Sequence, residues 1–419
     1  MCTEPIMRIF PFSAVRPEKS AAARVAAVPY DVVTTREAED IIRENHASFL
    51  RVSRPDADHP GIPEIHAHAR RRFDEMLEEG IFITDDAPGM YVYRVSSPAG
   101  VFTGLCCCLH VDDYESGLIL RHEQTRYDKE EDRTRHIDAV NANTGPVVLL
   151  YRDDQTISRF ISTLHEKVPP VADVAWHDGT RHQVYRISDP GVLRRIEELF
   201  QQVPRLYIAD GHHRARSAVN VANLRRASGR CTDEALRFMG VLFPHDGVRI
   251  HGYSRLVRDL GGCTAPEFRQ AVGCSFRVSV HQGVDRTLFQ IAPKTPVGSE
   301  HVVHMYLDRN WYECRAGPDR SSDLIESLDV SVLQKKVLEP VLGITDPRSD
   351  TRLQYLGGAR PVADLEAMVD GGEYAVAFSL QPVQVGTVLS IADAGGIMPP
   401  KSTWFEPKLL SGLLVHRLG

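Results

Sequence analysis

Residues 206–227, LYIADGHHRARSAVNVANLRRA, constrain the fold more than any other stretch of this chain. LYIAD is a short apolar run of strand character. Ala215, Ala218, Val219, Ala222 and Leu224 then fall on roughly one face of a helix. Gly211 stands between the two patterns and permits the tight backbone that such a junction needs. Asp210, Gly211, His212, His213 and Arg214 are therefore placed where a strand passes into a helix N-terminus. The first N–H groups of a helix lack internal partners and carry partial positive charge, so an anion is favoured there. Arg214 and the two imidazoles add donors suited to phosphate. Asp210 can cap the helix, hold Mg²⁺ or take a proton from a hydroxyl. The plainer alternative is a capped helix whose histidines only satisfy buried neighbours. Neither GxxxxGK[ST] nor GxGxxG occurs, so neither a P-loop nor a Rossmann cofactor is indicated.

Strand and helix signals alternate through all 419 residues, with no internal repeat and no low-complexity tract. The expected class is α/β, of the mixed α+β kind. MRIFPFSAV and SFLRVSR read as strands, and TTREAEDIIRENH as a helix capped at Thr34 or Thr35. MYVYRVSS and VFTGLCCCLHV read as a hairpin about PAG. TDEALRFMGVL and SLDVSVLQKKVLEPVLGI read as helices. Soft boundaries near 145–155 and 240–260 suggest three segments. These are 1–150 (an N-terminal α/β segment contributing to the site), 151–250 (carrying the D-G-H-H-R box) and 251–419 (a C-terminal α/β segment with the KST tail).

A second polar constellation is RHEQTRYDKEEDRTRHIDAVNANTG, residues 121–145. With a helix from Tyr127, Lys129, Asp132, Arg133 and His136 share a face by i, i+3 and i+4 spacing. A solvated helix laced with ion pairs accounts well for Glu130, Glu131 and Arg135. It accounts less well for His122 and Glu123, which follow the apolar GLIL as a strand end delivering acid/base groups would. The histidines are fourteen residues apart, so HExxH metal spacing is absent. A third stretch, MPPKSTWFEPK, offers Lys401, Ser402, Thr403 and Lys408 to a phosphate and an aromatic ring for stacking. A turn and edge strand explains it equally well. Tyr30 and Asp31 of VPYDVV are weaker candidates, since an aspartate there can be a turn former only.

Lys and Arg number 49 against 56 Asp and Glu, a net charge of 49 − 56 = −7. That balance argues against broad nucleic-acid binding. Hydrophobic residues make up 42% and charged residues 25%, ordinary values for a globular chain. No apolar run approaches the ~20 residues needed to cross a bilayer, and no signal peptide is legible at the N-terminus. None of the eight cysteines forms a CxxC pair. GLCCCLHV reads as a buried strand of reduced thiols, and the expected location is cytoplasmic.

The segments FPFSAVRP, VPYDVV, SFLRVSRP, RHEQT…DR…H…NTGPV, YIADGHHRARSA and MPPKSTWFEPKLLSGLLV resemble the family named domain of unknown function 1015. The resemblance spans nearly the whole chain, and members of that family are often found beside genes for serine biosynthesis. The D-G-H-H-R box also resembles that of the ParB/sulfiredoxin-like group, which includes free-serine kinases. That resemblance implies a nucleotide-binding core of this type with an additional mixed α/β subdomain. It implies that Gly211, His212, His213 and Arg214 contact phosphate; the residue pattern itself adds Arg133, Lys401, Ser402, Thr403 and Lys408 as phosphate candidates. Early in the kinases a glutamate acts on the serine hydroxyl, and AVRPE offers Glu18 in its place. Its distance along the chain from the box is far larger here, so Glu123, His122, Asp132, His136 and Asp210 stand beside it as catalytic candidates.

The expected function is transfer or hydrolysis of a phosphoryl group on a small hydroxy amino acid such as serine or phosphoserine. The direction, kinase or phosphatase, stays open. Mg²⁺ and ATP or ADP are the expected cofactors, a homodimer is allowed, and neither nucleic acid nor membrane is expected as a partner. The alternatives are a nucleotide-binding regulatory protein without turnover and a nuclease-like hydrolase.

Overall fold

A computed structural model describes residues 6–98, 100–294, 300–318, 323–357 and 360–419. Cys2 and Ala99 of the PAG turn lie outside them. The architecture is mixed α/β, as its alternating patterns predict. The chain folds as two compact units. The first comprises Met1–Arg121, Thr125–Val248 and Pro407–Gly419, and the second His122–Gln124 and Arg249–Glu406. Among the described residues, no helix is long and apolar enough to cross a membrane.

The first unit is built on a nine-stranded sheet. Its strands are β1 (Ile9–Phe10), β2 (Met90–Ser97), β3 (Gly100–His110), β4 (Ile119–Leu120), β5 (Val147–Tyr151), β6 (Ala172–Ala175), β7 (Arg181–Ile187), β8 (Leu206–Asp210) and β9 (Arg237–Pro244). The order is β4-β8-β5-β9-β3-β2-β7-β6, with β1 paired to β3. β5 is buried along its whole length, as the unbroken run VVLLY requires of a strand covered on both faces. β2 and β3 form the expected hairpin, pairing from Tyr91 opposite Cys106 to Ser97 opposite Gly100. Cys106, Cys107 and Cys108 are fully buried free thiols on β3, and burial pushes each of them up.

Helices flank this sheet: α1 (Thr35–Glu44), α2 (Ile65–Glu78), α3 (Tyr127–Val140), α4 (Thr156–Leu164), α5 (Pro190–Phe200) and α6 (His212–Ala227). Thr34 caps α1 in a reciprocal capping box with Glu37. A core of small and aromatic side chains, among them Val25, Phe49, Val52, Ala69 and Phe73, packs the N-terminal helices together.

Two segments depart from their expected structure. SFLRVSR is not a strand: Leu50–Ser53 forms one helical turn, followed by a second turn at Pro55–Asp58. Phe49 and Val52, three apart, are buried on one side of that turn, and Pro55 occupies the N1 position it favours. TDEALRFMGVL is not a helix either. A short 3₁₀ turn at Glu234–Leu236 leads directly into β9. β9 lies between β5 and β3, where tertiary pairing overrides local helix propensity. Gly240 fits this place closely, since a Cβ there would come within 2.6 Å of Leu149.

The second unit holds a six-stranded antiparallel sheet. Its strands are β10 (Ser254–Val257), β11 (Arg277–Val280), β12 (His301–Leu307), β13 (Asn310–Ala316), β14 (Leu353–Leu356) and β15 (Val376–Leu380), in the order β11-β13-β12-β15-β10-β14. α7 (Ala265–Gly273), α8 (Val362–Asp370) and α9 (Val385–Asp393) accompany it. The expected helix at SLDVSVLQKKVLEPVLGI is only partly formed. Asp329–Leu333 is α-helical, Gln334–Leu338 widens into a π-turn, and Pro340, which cannot continue the hydrogen-bond ladder, follows.

Candidate functional site

The D-G-H-H-R box sits where a strand passes into a helix. β8 runs antiparallel to β5, and a bulge at Ala209 shifts the register between Ile208 and Asp210. A bulge re-aims the side chain beside it, here Asp210 at the strand end. Gly211 is the N-cap of α6 with φ +90°, a conformation favoured by glycine. A Cβ at that position would also lie 3.1 Å from Arg214 Nε and 3.4 Å from Val147 Cα. The glycine therefore lets Arg214 fold back across the helix start. Ala215, Ala218 and Ala222 are buried in the core of the nine-stranded sheet, and Ser217 Oγ on α6 donates to the Glu130 carbonyl of α3.

Three charged groups converge at the junction. Lys408 Nζ donates to Asp210 Oδ2 at 2.7 Å, and Arg214 Nη2 lies 3.6 Å from Asp210 Oδ1. Burial pushes the Asp210 carboxyl up, but Lys408, Arg214 and His212 outweigh it and hold the group well below the usual range. Asp210 is thus a carboxylate at neutral pH. Arg214 also donates from Nη1 to the Pro146 carbonyl, yet its buried Nε has no hydrogen-bond partner among the described residues.

A second set is delivered by α3. Arg133 donates to Asp132 through Nε and Nη2 and to the Ser53 carbonyl through Nη1, and its guanidinium lies 4.5 Å from the centroid of the Tyr30 ring. Burial pushes Asp132 up, but Arg133, His66 and His136 lower it overall. His136 is buried, with Nε2 at 2.8 Å from the Val52 carbonyl. Burial, and then Arg133, pull it down to about 3, so the imidazole is neutral and its Nε2–H donates. Burial pushes the Tyr30 hydroxyl up.

Four of these residues, Tyr30, Arg133, His136 and Arg214, meet at one recess. Tyr30, Ser53, Arg133, His136, Gly145 and Arg214 line it, with Asn143, Thr144, Ile137 and Ser411 completing the wall. It is narrow, with a cavity volume of about 20 Å³, and it opens to solvent. Backbone bonds between Ala27 and Ser411 help bring the early and late parts of the chain to its edge. Arg54 holds the Tyr30 turn by donating to the carbonyls of Tyr30 and Val33. Ser53 is 3% exposed, and its Oγ has no partner among the described residues.

The sequence candidates divide accordingly. Asp210, Gly211, Arg214 and Lys408 form the junction, and Asp132, Arg133 and His136 belong to the α3 set. His212 is buried at the start of α6. His213 Nε2 accepts the Arg126 N–H at 3.0 Å and so ties α6 to the start of α3. Glu18 is half-buried and accepts hydrogen bonds from the N–H and hydroxyl of Ser20. His122, Glu123, Lys401, Ser402 and Thr403 belong to the second unit. There His122 Nε2 lies 3.4 Å from Thr403 Oγ1, and Ser402 Oγ donates to the Pro399 carbonyl. Lys401 Nζ sits 5.4 Å from the centroid of the Tyr253 ring. Sequence reasoning misses Ser53, because its segment has the pattern of a strand and a serine in an apolar run carries no other signal.

A family model described as "Protein of unknown function (DUF1015)" matches residues 9–331. No curated protein matches. Among solved structures, a conserved hypothetical protein from Pyrococcus furiosus is similar at 15% identity, over 72% of this chain and 90% of that one, with a TM-score of 0.34. A free serine kinase in complex with AMP is similar at 14% identity, over 72% and 86%, with a TM-score of 0.36. SbnI with a C-terminal truncation, from Staphylococcus aureus, is similar at 12% identity, over 73% and 85%, also at 0.36. The family match covers most of the chain, from β1 through the D-G-H-H-R junction to α-helical Asp329–Leu333, and the protein accordingly belongs to the DUF1015 family.

Proposed function

We propose that the recess binds the phosphate of a nucleotide or phosphorylated metabolite, and that the protein moves a phosphoryl group on or off a small hydroxy amino acid such as serine. One observation carries this reading. Arg214 Nε and Ser53 Oγ are buried polar atoms without partners among the described residues, and both residues line the same recess. Leaving a buried polar group unsatisfied costs about 1–3 kcal/mol. A bound oxyanion would satisfy both.

Phosphoryl transfer asks a protein mainly for positioning and for charge stabilisation. Arg214, Arg133 and the first N–H groups of the α6 N-terminus supply positive potential without moving. Asp210 is the carboxylate we assign to orienting or deprotonating the substrate hydroxyl. Lys408 and Arg214 hold it ionised and aimed. His136 acts by position: its bond to Val52 fixes α3 against the Ser53 turn.

The donor set does not fit a resident Mg²⁺. Asp210 is already paired with Lys408, and Asp132 with Arg133. We therefore assign magnesium to the nucleotide, as its complex, and route no step through a protein-bound ion. The test is turnover by the full chain. Radiolabelled ATP with serine, and phosphoserine with ADP or with water, are expected to exchange label in at least one pairing. No exchange with any nucleotide and no phosphoserine hydrolysis overturns the reading.

A further inference from the structure

The second unit carries a cluster that plays no part in the recess. His304 on β12 is paired directly opposite Glu313 on β13. His281 directly follows β11, the other neighbour of β13, and its N–H donates to the Trp311 carbonyl. Trp311 and Glu313 are two apart, so the period-2 alternation of strands puts His281 on the face that Glu313 shares with His304.

The donor atoms of the three side chains all lie within 4.8 Å of one another. His281 Nδ1 is 3.6 Å from Glu313 Oε2, and His304 Nε2 is 3.5 Å from the same oxygen. Both ring nitrogens are buried, and neither has a hydrogen-bond partner among the described residues. His304 is fully buried and Glu313 is 3% exposed. Two imidazole nitrogens aimed at one carboxylate oxygen, without bonding it, are costly in an interior.

A metal ion resolves this arrangement. Zinc bonds of about 2.0–2.1 Å at tetrahedral angles place neighbouring donor atoms about 3.3–3.4 Å apart. The two His–Glu spacings come within a few tenths of an ångström of that edge. The surroundings also suit a ligating carboxylate. The Lys294 N–H donates to Glu313 Oε2 at 2.7 Å, and Arg315 Nε donates to Oε1 at 2.9 Å, so outer partners orient the group. His304 Nδ1 is 3.5 Å from Gln381 Nε2, too long to fix the ring's tautomer.

We propose that His281, His304 and Glu313 form a divalent transition-metal site, of the zinc class, that clips β11, β13 and β12 together. Two imidazoles and one carboxylate favour zinc over magnesium or calcium, which prefer oxygen donors. A solvent molecule completes the fourth position.

The test uses the full chain stripped with a chelator and titrated with Co²⁺. One equivalent is expected to give the intense visible absorption of a tetrahedral site, to be displaced by Zn²⁺, and to raise the melting temperature. His281→Ala and His304→Gln are each expected to weaken binding at least about 100-fold, more than loss of an outer partner costs. Cobalt that stays weakly absorbing and octahedral overturns the proposal, as do variants that titrate like wild type. X-ray absorption on the cobalt-loaded wild type decides the matter if a variant fails to fold. Two imidazole nitrogens in the coordination sphere support the site, and an all-oxygen sphere removes it.

Discussion

Replacing Arg214 with methionine tests the recess through its most exposed assumption. Methionine keeps much of the stem and removes the guanidinium. Two contacts disappear, the bond to the Pro146 carbonyl and the approach to Asp210 at 3.6 Å. Asp210 keeps its bond to Lys408, so no bare buried carboxylate is created. Loss of one bond from a charged donor predicts a stability cost of about 1.5–3 kcal/mol, which a urea titration measures. The ligand effect is larger. A guanidinium offering two bonds to a phosphate contributes about 1.5–3 kcal/mol through each. Allowing water to replace part of that, about 3 kcal/mol is lost, roughly a 100-fold weakening. Calorimetric titration of ADP, phosphoserine and inorganic phosphate into wild type and variant reads it directly. A phosphorylated probe that binds wild type and binds the folded variant equally well refutes the assignment of Arg214.

Three further outcomes follow from the same geometry. Ser53→Ala removes a buried hydroxyl that no described group satisfies, so unfolding stability is expected to change by less than about 1 kcal/mol while phosphate affinity falls about 5–10-fold; a large stability loss in the ligand-free protein would show the hydroxyl already bonded. Gly211→Ala forces a Cβ onto φ +90° and against Arg214, which predicts a loss of about 1–3 kcal/mol in urea unfolding together with weakened phosphate binding. His136 is held neutral, pulled from 6.5 to about 3 by burial and then Arg133. Its unfolded form binds a proton below about 6.5 and its folded form only near 3, so stability is lost as pH falls through that window, at up to about 1.4 kcal/mol per pH unit. Urea titrations across that range should show a shallower dependence in His136→Gln than in wild type.

Local pattern makes the junction legible, and long-range assembly stays hidden. LYIAD, Gly211 and the alanine stripe of α6 each carry a local signal, and they agree with one another. α3 starts at Tyr127 as its pattern predicts, and of the four residues placed on one face it buries Arg133 and His136 and leaves Lys129 and Asp132 exposed. Leu50–Ser53 is misread because a short apolar run does not distinguish strand from buried helical turn. β9 is misread because the acidic start of TDEAL imitates a helix N-terminus, while pairing on both sides decides the outcome. Lys408 is visible as a candidate, but its bond to Asp210 spans 198 residues and rests on the chain's return to the first unit at Pro407. Lys401, Ser402 and Thr403, only a few residues earlier, belong to the other unit. No spacing rule separates them from Lys408. The convergence of Ser53 and Tyr30 is equally out of reach, because a recess is a property of several distant segments and not of any one of them.

The most direct measurement is a crystal structure of the full chain soaked with ADP, Mg²⁺ and phosphoserine. The account predicts a phosphate in the recess, within hydrogen-bond distance of Arg214 Nε and Ser53 Oγ, with Asp210 facing the amino acid's oxygen. A phosphate bound elsewhere, with Arg214 Nε and Ser53 Oγ still unsatisfied, would contradict it.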